Sequence, residues 1–361
     1  MLRNTRLWLC LHNVNTAAAA SQGSQASLTK ASVFGLLSPI PHVPVNLSRG
    51  RSLASSAAPV MDAPSPRVLS IQSHVVSGYV GNKSATFPLQ VLGFDVDAIN
   101  SVQFSNHTGY GYWKGQVLAE QELVELTEGL AHNGLDCTYT HLLTGYSRSK
   151  SFLTHIANIV SQLRKKNSGL IYLCDPVIGD IGRGIYVPTE LIDVYKETII
   201  PIANIVTPNQ FELELLTGIT LKTIDDVWAA TATLHSMGPK TVVISSSELC
   251  DEKSLLCLGS AIIDGRQEKA MITFPKLKSS YTGTGDLFSA LLLAWMWRSH
   301  NNLKQSLEYT VATIQAVLQR TEASCKGDTE KLSVFDRELK LIKSKSDIEN
   351  PKVVYHAVSI L

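Results

Sequence analysis

The stretch Gly283-Thr284-Gly285-Asp286 sets two glycines two apart in front of an apolar run that begins Leu287-Phe288 and continues to Trp297. A glycine turn that opens a helix lines up amides with no partner inside that helix, at the positive end of its dipole, where phosphate oxygens are favoured. Into this position the chain places a carboxylate, Asp286. Spacing alone leaves two readings open. Asp286 is a helix cap, or it is a base beside an anion hole, as phosphoryl transfer to an alcohol requires.

Other residues carry related chemistry. Asp175-Pro176-Val177-Ile178-Gly179-Asp180 follows a strand-like run and can turn both carboxylates toward one ligand. Magnesium on nucleotide phosphates needs only one or two protein carboxylates, with waters completing its shell. Asn209 and Glu212 have the spacing of a capping box, which by itself accounts for Glu212 unless it also orients a metal-bound water. Gly81-Asn82-Lys83-Ser84 resembles the end of a P-loop, but Asn82 separates the glycine from the lysine and the required spacing is not met.

The elements that must position these residues alternate along the chain. Apolar runs predict strands over 68–71, 95–102, 141–146, 170–174, 203–206 and 241–245. Between them, periodic stretches predict helices over 84–92 (interrupted by Pro88), 120–130, 151–165 and 223–237. Runs 255–263 and 269–275, joined by Asp264-Gly265, predict a hairpin. Helices follow over 285–299 and 303–322, then a last helix over 337–344 and a final strand at Val353-Val354. The glycines of Ile181-Gly182-Arg183-Gly184 read as a flexible flap. Such alternation predicts an α/β fold of three layers, a mostly parallel central sheet with helices on both faces. Ligands bind at the carboxyl ends of such strands, which is where the polar clusters at 73, 104–108, 144–146, 175–180, 207–212 and 245–247 fall.

Composition bounds the rest. Residues 1–61 hold five basic residues and no acidic one, against 32 and 31 in the whole chain, so the body is mildly acidic and offers no basic surface for nucleic acid. The 6 cysteines form no CxxC pair and predict neither disulfides nor a zinc site, with a reducing compartment as the default. No apolar run is long enough to span a membrane. Segment 1–61, Ala/Ser-rich and broken by Pro39, Pro41, Pro44 and Pro59, reads as a disordered leader or a transit peptide. The expected location is cytoplasmic, or mitochondrion or plastid if the leader is an address. Residues 67–361 show no repeat and no second boundary, and are expected to form one catalytic domain.

With these motifs assembled, 67–361 resembles the vitamin B6 (pyridoxal) kinases of the ribokinase-like superfamily. The resemblance is carried by Val68-Leu-Ser-Ile-Gln-Ser-His-Val75, Gly78-Tyr-Val-Gly-Asn-Lys83, Asn100–Tyr110, Leu143-Thr-Gly-Tyr146, Cys174-Asp-Pro-Val177, Gly179-Asp180, Thr207-Pro-Asn-Gln-Phe-Glu212 and Gly283–Asp286. Gly-Thr-Gly-Asp alone indicates only the superfamily; the segments before residue 111 narrow it.

The resemblance implies a ribokinase-like homodimer that transfers the γ-phosphoryl of ATP to the 5′-hydroxymethyl of pyridoxal, pyridoxine or pyridoxamine. Asp286 would be the base and the amides of Gly283, Thr284 and Gly285 the anion hole. Ser73, Thr108 and Tyr146 would contact the pyridine ring, with Val80, Val102 and Phe104 as apolar walls. Asp180 and Glu212 would act on Mg2+ (or another divalent ion such as Zn2+) largely through water. Asp175 and Thr207 would serve a K+ or Na+ ion. Ser245, where the family leads one to expect threonine, Ser246, Tyr186, Thr284 and Leu277 would lie along ATP. The flap 179–186 is shorter than in animal members. Other superfamily kinases, acting on hydroxymethylpyrimidine, sugars or nucleosides, and a silent ligand-binding relative are the alternatives.

Overall fold

Ten strands lie side by side in one sheet among the residues that the computed structural model describes, 65–325 and 332–360. The leader 1–61 lies outside them. Strands β1 (Arg67–Val75) and β2 (Asp95–Phe104) flank α1 (Asn82–Val91), which runs through Pro88 without a break. After the short strand β3 (Gly115–Val117) come α2 (Glu120–His132), β4 (His141–Thr144), α3 (Lys150–Lys166) and β5 (Ile171–Cys174). The flap folds as a small hairpin, β6 (Gly179–Asp180) with β7 (Gly184–Ile185). A helical stretch unforeseen from sequence follows: α4 (Glu190–Val194), a π turn Tyr195–Ile199 and a 3-10 turn Ile200–Ile202. Its turns shorten the strand expected over 203–206 to β8 (Ile205–Val206).

The chain continues through α5 (Gln210–Thr217), α6 (Ile224–Met237), β9 (Thr241–Ser247), β10 (Ser254–Ile263) and β11 (Arg266–Pro275). Helices α7 (Thr284–Arg298) and α8 (Leu303–Ala323) precede α9 (Lys345–Glu349) and β12 (Val358–Ile360). The sheet order is β12-β11-β10-β9-β8-β5-β4-β1-β2-β3. The middle six strands, β9 to β2, are parallel, and antiparallel strands close both edges.

Strand side chains alternate between two cores, as the pleat requires. Leu142, Tyr172 and Val242 face α2, α3, α5 and α6, whereas Leu143, Leu173 and Val243 face α1, α7 and α8. Because both faces are covered, these strands carry apolar residues toward both cores rather than on one face alone. The apolar run after Asp286 is accordingly a core helix, buried from Leu287 to Met296.

The tail departs from expectation. Residues 337–341 form no helix, because Leu339 and Leu341 are buried in the core while Glu338, just before them, is held by hydrogen bonds from Tyr79 and Tyr110. Helical turns begin only at Ile342. The final strand lies at 358–360, not at Val353-Val354. Only there does the tail reach β11, pairing Met271 with Val358, whereas Val354 is exposed. No described helix is long and apolar enough to cross a membrane.

Candidate active site

One cavity of about 770 Å³ opens at the carboxyl ends of the parallel strands. Its first wall depends on a bulge. The β1–β2 register pairs Gln72 with Asn100 but Ser73 with Val102, leaving Ser101 as an extra residue. The slip turns Val102 and Phe104 to the same side as Ser73 and Val75, and all four line the cavity with Val80. Ser101, set free, donates Oγ to the Tyr146 carbonyl at 2.8 Å, fixing the loop whose side chain packs on this wall. Thr108, on the turn Thr108–Tyr110, lines the same wall. Apolar faces with a few hydroxyls are what a flat, partly polar ring requires.

The second wall is the start of α7. Gly283 has φ 87°, and a Cβ there would stand 2.0 Å from the Tyr79 carbonyl oxygen, so only glycine fits. Ser84 Oγ donates to the Gly283 carbonyl at 3.0 Å. The Gly81 amide donates to the Asp286 carboxylate. The stretch that fails as a P-loop therefore buttresses the anion-favouring turn and its carboxylate from behind. Burial raises the Asp286 carboxyl above its usual range despite the Gly81 bond, which makes it a stronger proton acceptor.

Between the walls, Asp175 and Thr207 end the neighbouring strands β5 and β8. Asp175 Oδ2 and Thr207 Oγ1 are both buried with no hydrogen-bond partner. Burial, together with the charges of Glu212 and Asp286, raises the Asp175 carboxyl well above its usual range. Burial also pushes Glu212 up to about 8, against the amides of Asn209, Ile178 and Gly179 that donate to it. Glu212 is thus more than the capping partner of Asn209: its Oε1 accepts from the Ile178 amide at 2.8 Å and bolts the 175–180 turn to α5.

Crowded carboxylates in a buried site are relieved by cations. The two orphaned oxygens of Asp175 and Thr207 fit a monovalent ion. No three described His, Cys, Asp or Glu side chains gather as a metal-binding group. Asp180 lies on the flap, its Oδ1 accepting from Asn209 Nδ2 at 3.0 Å and its Oδ2 from the Tyr186 hydroxyl.

Ser245 and Ser246, in β9, line this cavity and an adjoining one of about 380 Å³. Leu277 lies in the adjoining cavity and does not line the first. Every other site residue expected from sequence lines the larger one, including Tyr186 and Thr284. Arg183, read from sequence only as flap, reaches across to Ser280 Oγ at 3.3 Å. Arg148, Trp113 and Arg337 also line the cavity, and none belongs to a motif visible in the sequence. Arg337 comes from the tail, more than two hundred residues from the ring wall, and no local pattern marks it.

The family model described as phosphomethylpyrimidine kinase matches residues 145–330. The pyridoxal kinase of Bos taurus is 50% identical over 305 residues, covering 81% of this chain and 97% of the bovine one. That of Arabidopsis thaliana is 50% identical over 289 residues, covering 80% and 92%. Among solved structures, pyridoxal kinase from Leishmania donovani in complex with ADP and pyridoxamine matches with a TM-score of 0.77 at 34% identity, covering 82% of this chain and 99% of that one. The same enzyme with ADP and pyridoxine matches with a TM-score of 0.76.

Proposed function

The chain belongs to the pyridoxal kinase family, and from that premise we propose how its own residues phosphorylate the 5′-hydroxymethyl of pyridoxal, pyridoxine or pyridoxamine with ATP. The observation that carries the reading is that a ring-sized wall and the Gly283–Asp286 turn face one cavity. Ser73, Thr108 and Tyr146 orient the pyridine ring between Val80, Val102 and Phe104. Asp286 takes the proton of the hydroxymethyl as its oxygen bonds to the γ-phosphorus and the bond to the bridging oxygen of ADP breaks. A placed base contributes about 10²–10⁴ in rate. The amides of Gly283, Thr284 and Gly285 receive the charge that develops on the transferring group.

Asp180 and Glu212 would hold a divalent ion through water, and Asp175 with Thr207 a monovalent one; bound there, these ions neutralise phosphate charge. Arg183 and Tyr186 on the flap, Ser245, Ser246 and Leu277 border the nucleotide. A coupled assay with ATP tests the reading on pyridoxal, pyridoxine and pyridoxamine against hydroxymethylpyrimidine, ribose and adenosine. Turnover confined to the B6 compounds supports it, and none with pyridoxal ends it.

A further inference from the structure

Glu338 lies in the tail, at the end of no strand, and the reaction outlined above gives it no part. It is buried, yet it does not line the cavity. Its Oε2 accepts the Tyr79 amide at 2.9 Å. Its Oε1 accepts the Tyr110 hydroxyl at 3.0 Å and lies 3.2 Å from His107 Nε2. Gly78 makes room for it: φ there is 96°, and a Cβ would stand 2.3 Å from Glu338 Oε1. One carboxylate therefore ties the loop after β1 to the turn after β2. The first loop carries Val80 and the Gly81 amide that supports Asp286; the second carries Thr108.

The segment that presents Glu338 is itself anchored. Ser333 and Asp336 exchange hydrogen bonds, Leu339 and Leu341 are fully buried, and the Lys340 amide donates to Thr321 on α8 at 3.1 Å. A carboxylate gathering several donors from a fixed base is a strong, directional tie.

We propose that Glu338 is a positioning residue for the acceptor: it sets the spacing of the two loops that hold the ring, so the tail governs acceptor recognition without touching the acceptor. The inference rests on the B6 kinase reading above and deepens it. The nucleotide side, built on 175–186, 207–212 and 245–246, has no bond to Glu338.

The test is steady-state kinetics on the purified full chain, with pyridoxal and ATP varied separately and thermal melts alongside. Glu338→Gln should raise the KM for pyridoxal about tenfold, the scale of one charged hydrogen bond, while the KM for ATP stays within about twofold. Gly78→Ala, which presses on the same carboxyl, should give the same split. Tyr110→Phe removes one donor at the loop edge without touching the core, and should raise the pyridoxal KM about threefold. An unchanged pyridoxal KM in Glu338→Gln and Tyr110→Phe overturns the proposal. So does a rise in both KM values in step with a fall in melting temperature, which is what a merely structural role would give. Wild-type turnover of pyridoxal separates the failures: its absence overturns the kinase reading and this inference with it, whereas turnover without the split overturns this inference alone.

Discussion

Ser84 Oγ donates to the Gly283 carbonyl at 3.0 Å, joining positions 199 apart in the chain. With the Gly81 amide on Asp286, it fastens the start of α1 to the start of α7. The turn that would bind the phosphoryl group and the loop that carries Val80 are therefore one assembly. Ser84→Ala should destabilise the fold by about 1 kcal/mol and lower kcat several-fold, since it leaves the half-buried Gly283 carbonyl with the Leu287 amide alone. Chemical denaturation and steady-state rates check both.

Asp286→Asn should lower kcat by about two to four decades while pyridoxal still binds, because the amide keeps the shape and loses the proton-accepting role. Near-normal kcat would reduce Asp286 to a helix cap.

Gly283→Ala puts a Cβ against the Tyr79 carbonyl in a left-handed backbone. We expect a loss of about 1–3 kcal/mol in stability from the strained conformation. Activity should fall by more than the melting temperature accounts for, because the amides move. Activity equal to wild type at a temperature where the variant is fully folded would show that the turn tolerates the shift.

Thr207→Val removes the orphaned Oγ1 at nearly constant volume. If Thr207 and Asp175 hold a monovalent ion, the KCl concentration for half-maximal activity should rise about tenfold, as for the loss of one hydrogen-bond-sized contact. A superimposable KCl titration would remove Thr207 from the ion site.

His141 is buried, edge-on to Phe94 and Trp297 with ring centroids 5.4 and 5.0 Å away, and burial lowers its imidazole from 6.5 to about 4. The unfolded chain binds the proton near pH 6.5 and the folded chain only near pH 4. His141 thus leaves stability unchanged above that window and lowers it as the pH falls through it, by up to about 3 kcal/mol. Melting temperatures of wild type and His141→Phe between pH 7 and 4 isolate the effect: the wild type should lose stability more steeply, and parallel curves would refute the assignment.

Much of the site was legible because its residues cluster at strand ends, where a doubly covered parallel sheet places ligand contacts whatever its helices do. Asp175 and Thr207 needed only the strands before them, and Ser245 the strand that carries it. The bulge at Ser101 was not legible, since it adds a residue without changing the apolar pattern around it. Glu338 was hidden for another reason. Phe335, Leu339 and Ile342 have a helical spacing whereas Leu339 and Leu341 have an extended one, and the contacts that decide between them come from Tyr79 and Tyr110.

By itself the sequence determined the layer architecture, the succession of strands in the parallel core, and the carboxylates and glycines available for phosphoryl transfer. Periodicity and residue type carry that information locally. Only the tertiary structure decided that Gly81 and Ser84 brace Gly283 and Asp286, that Asp175 Oδ2 and Thr207 Oγ1 are both left buried and unpaired, and that the tail reaches back to the ring wall. Those are contacts across tens to hundreds of residues. They arise when the sheet brings strand ends together, and no window of local sequence contains both partners.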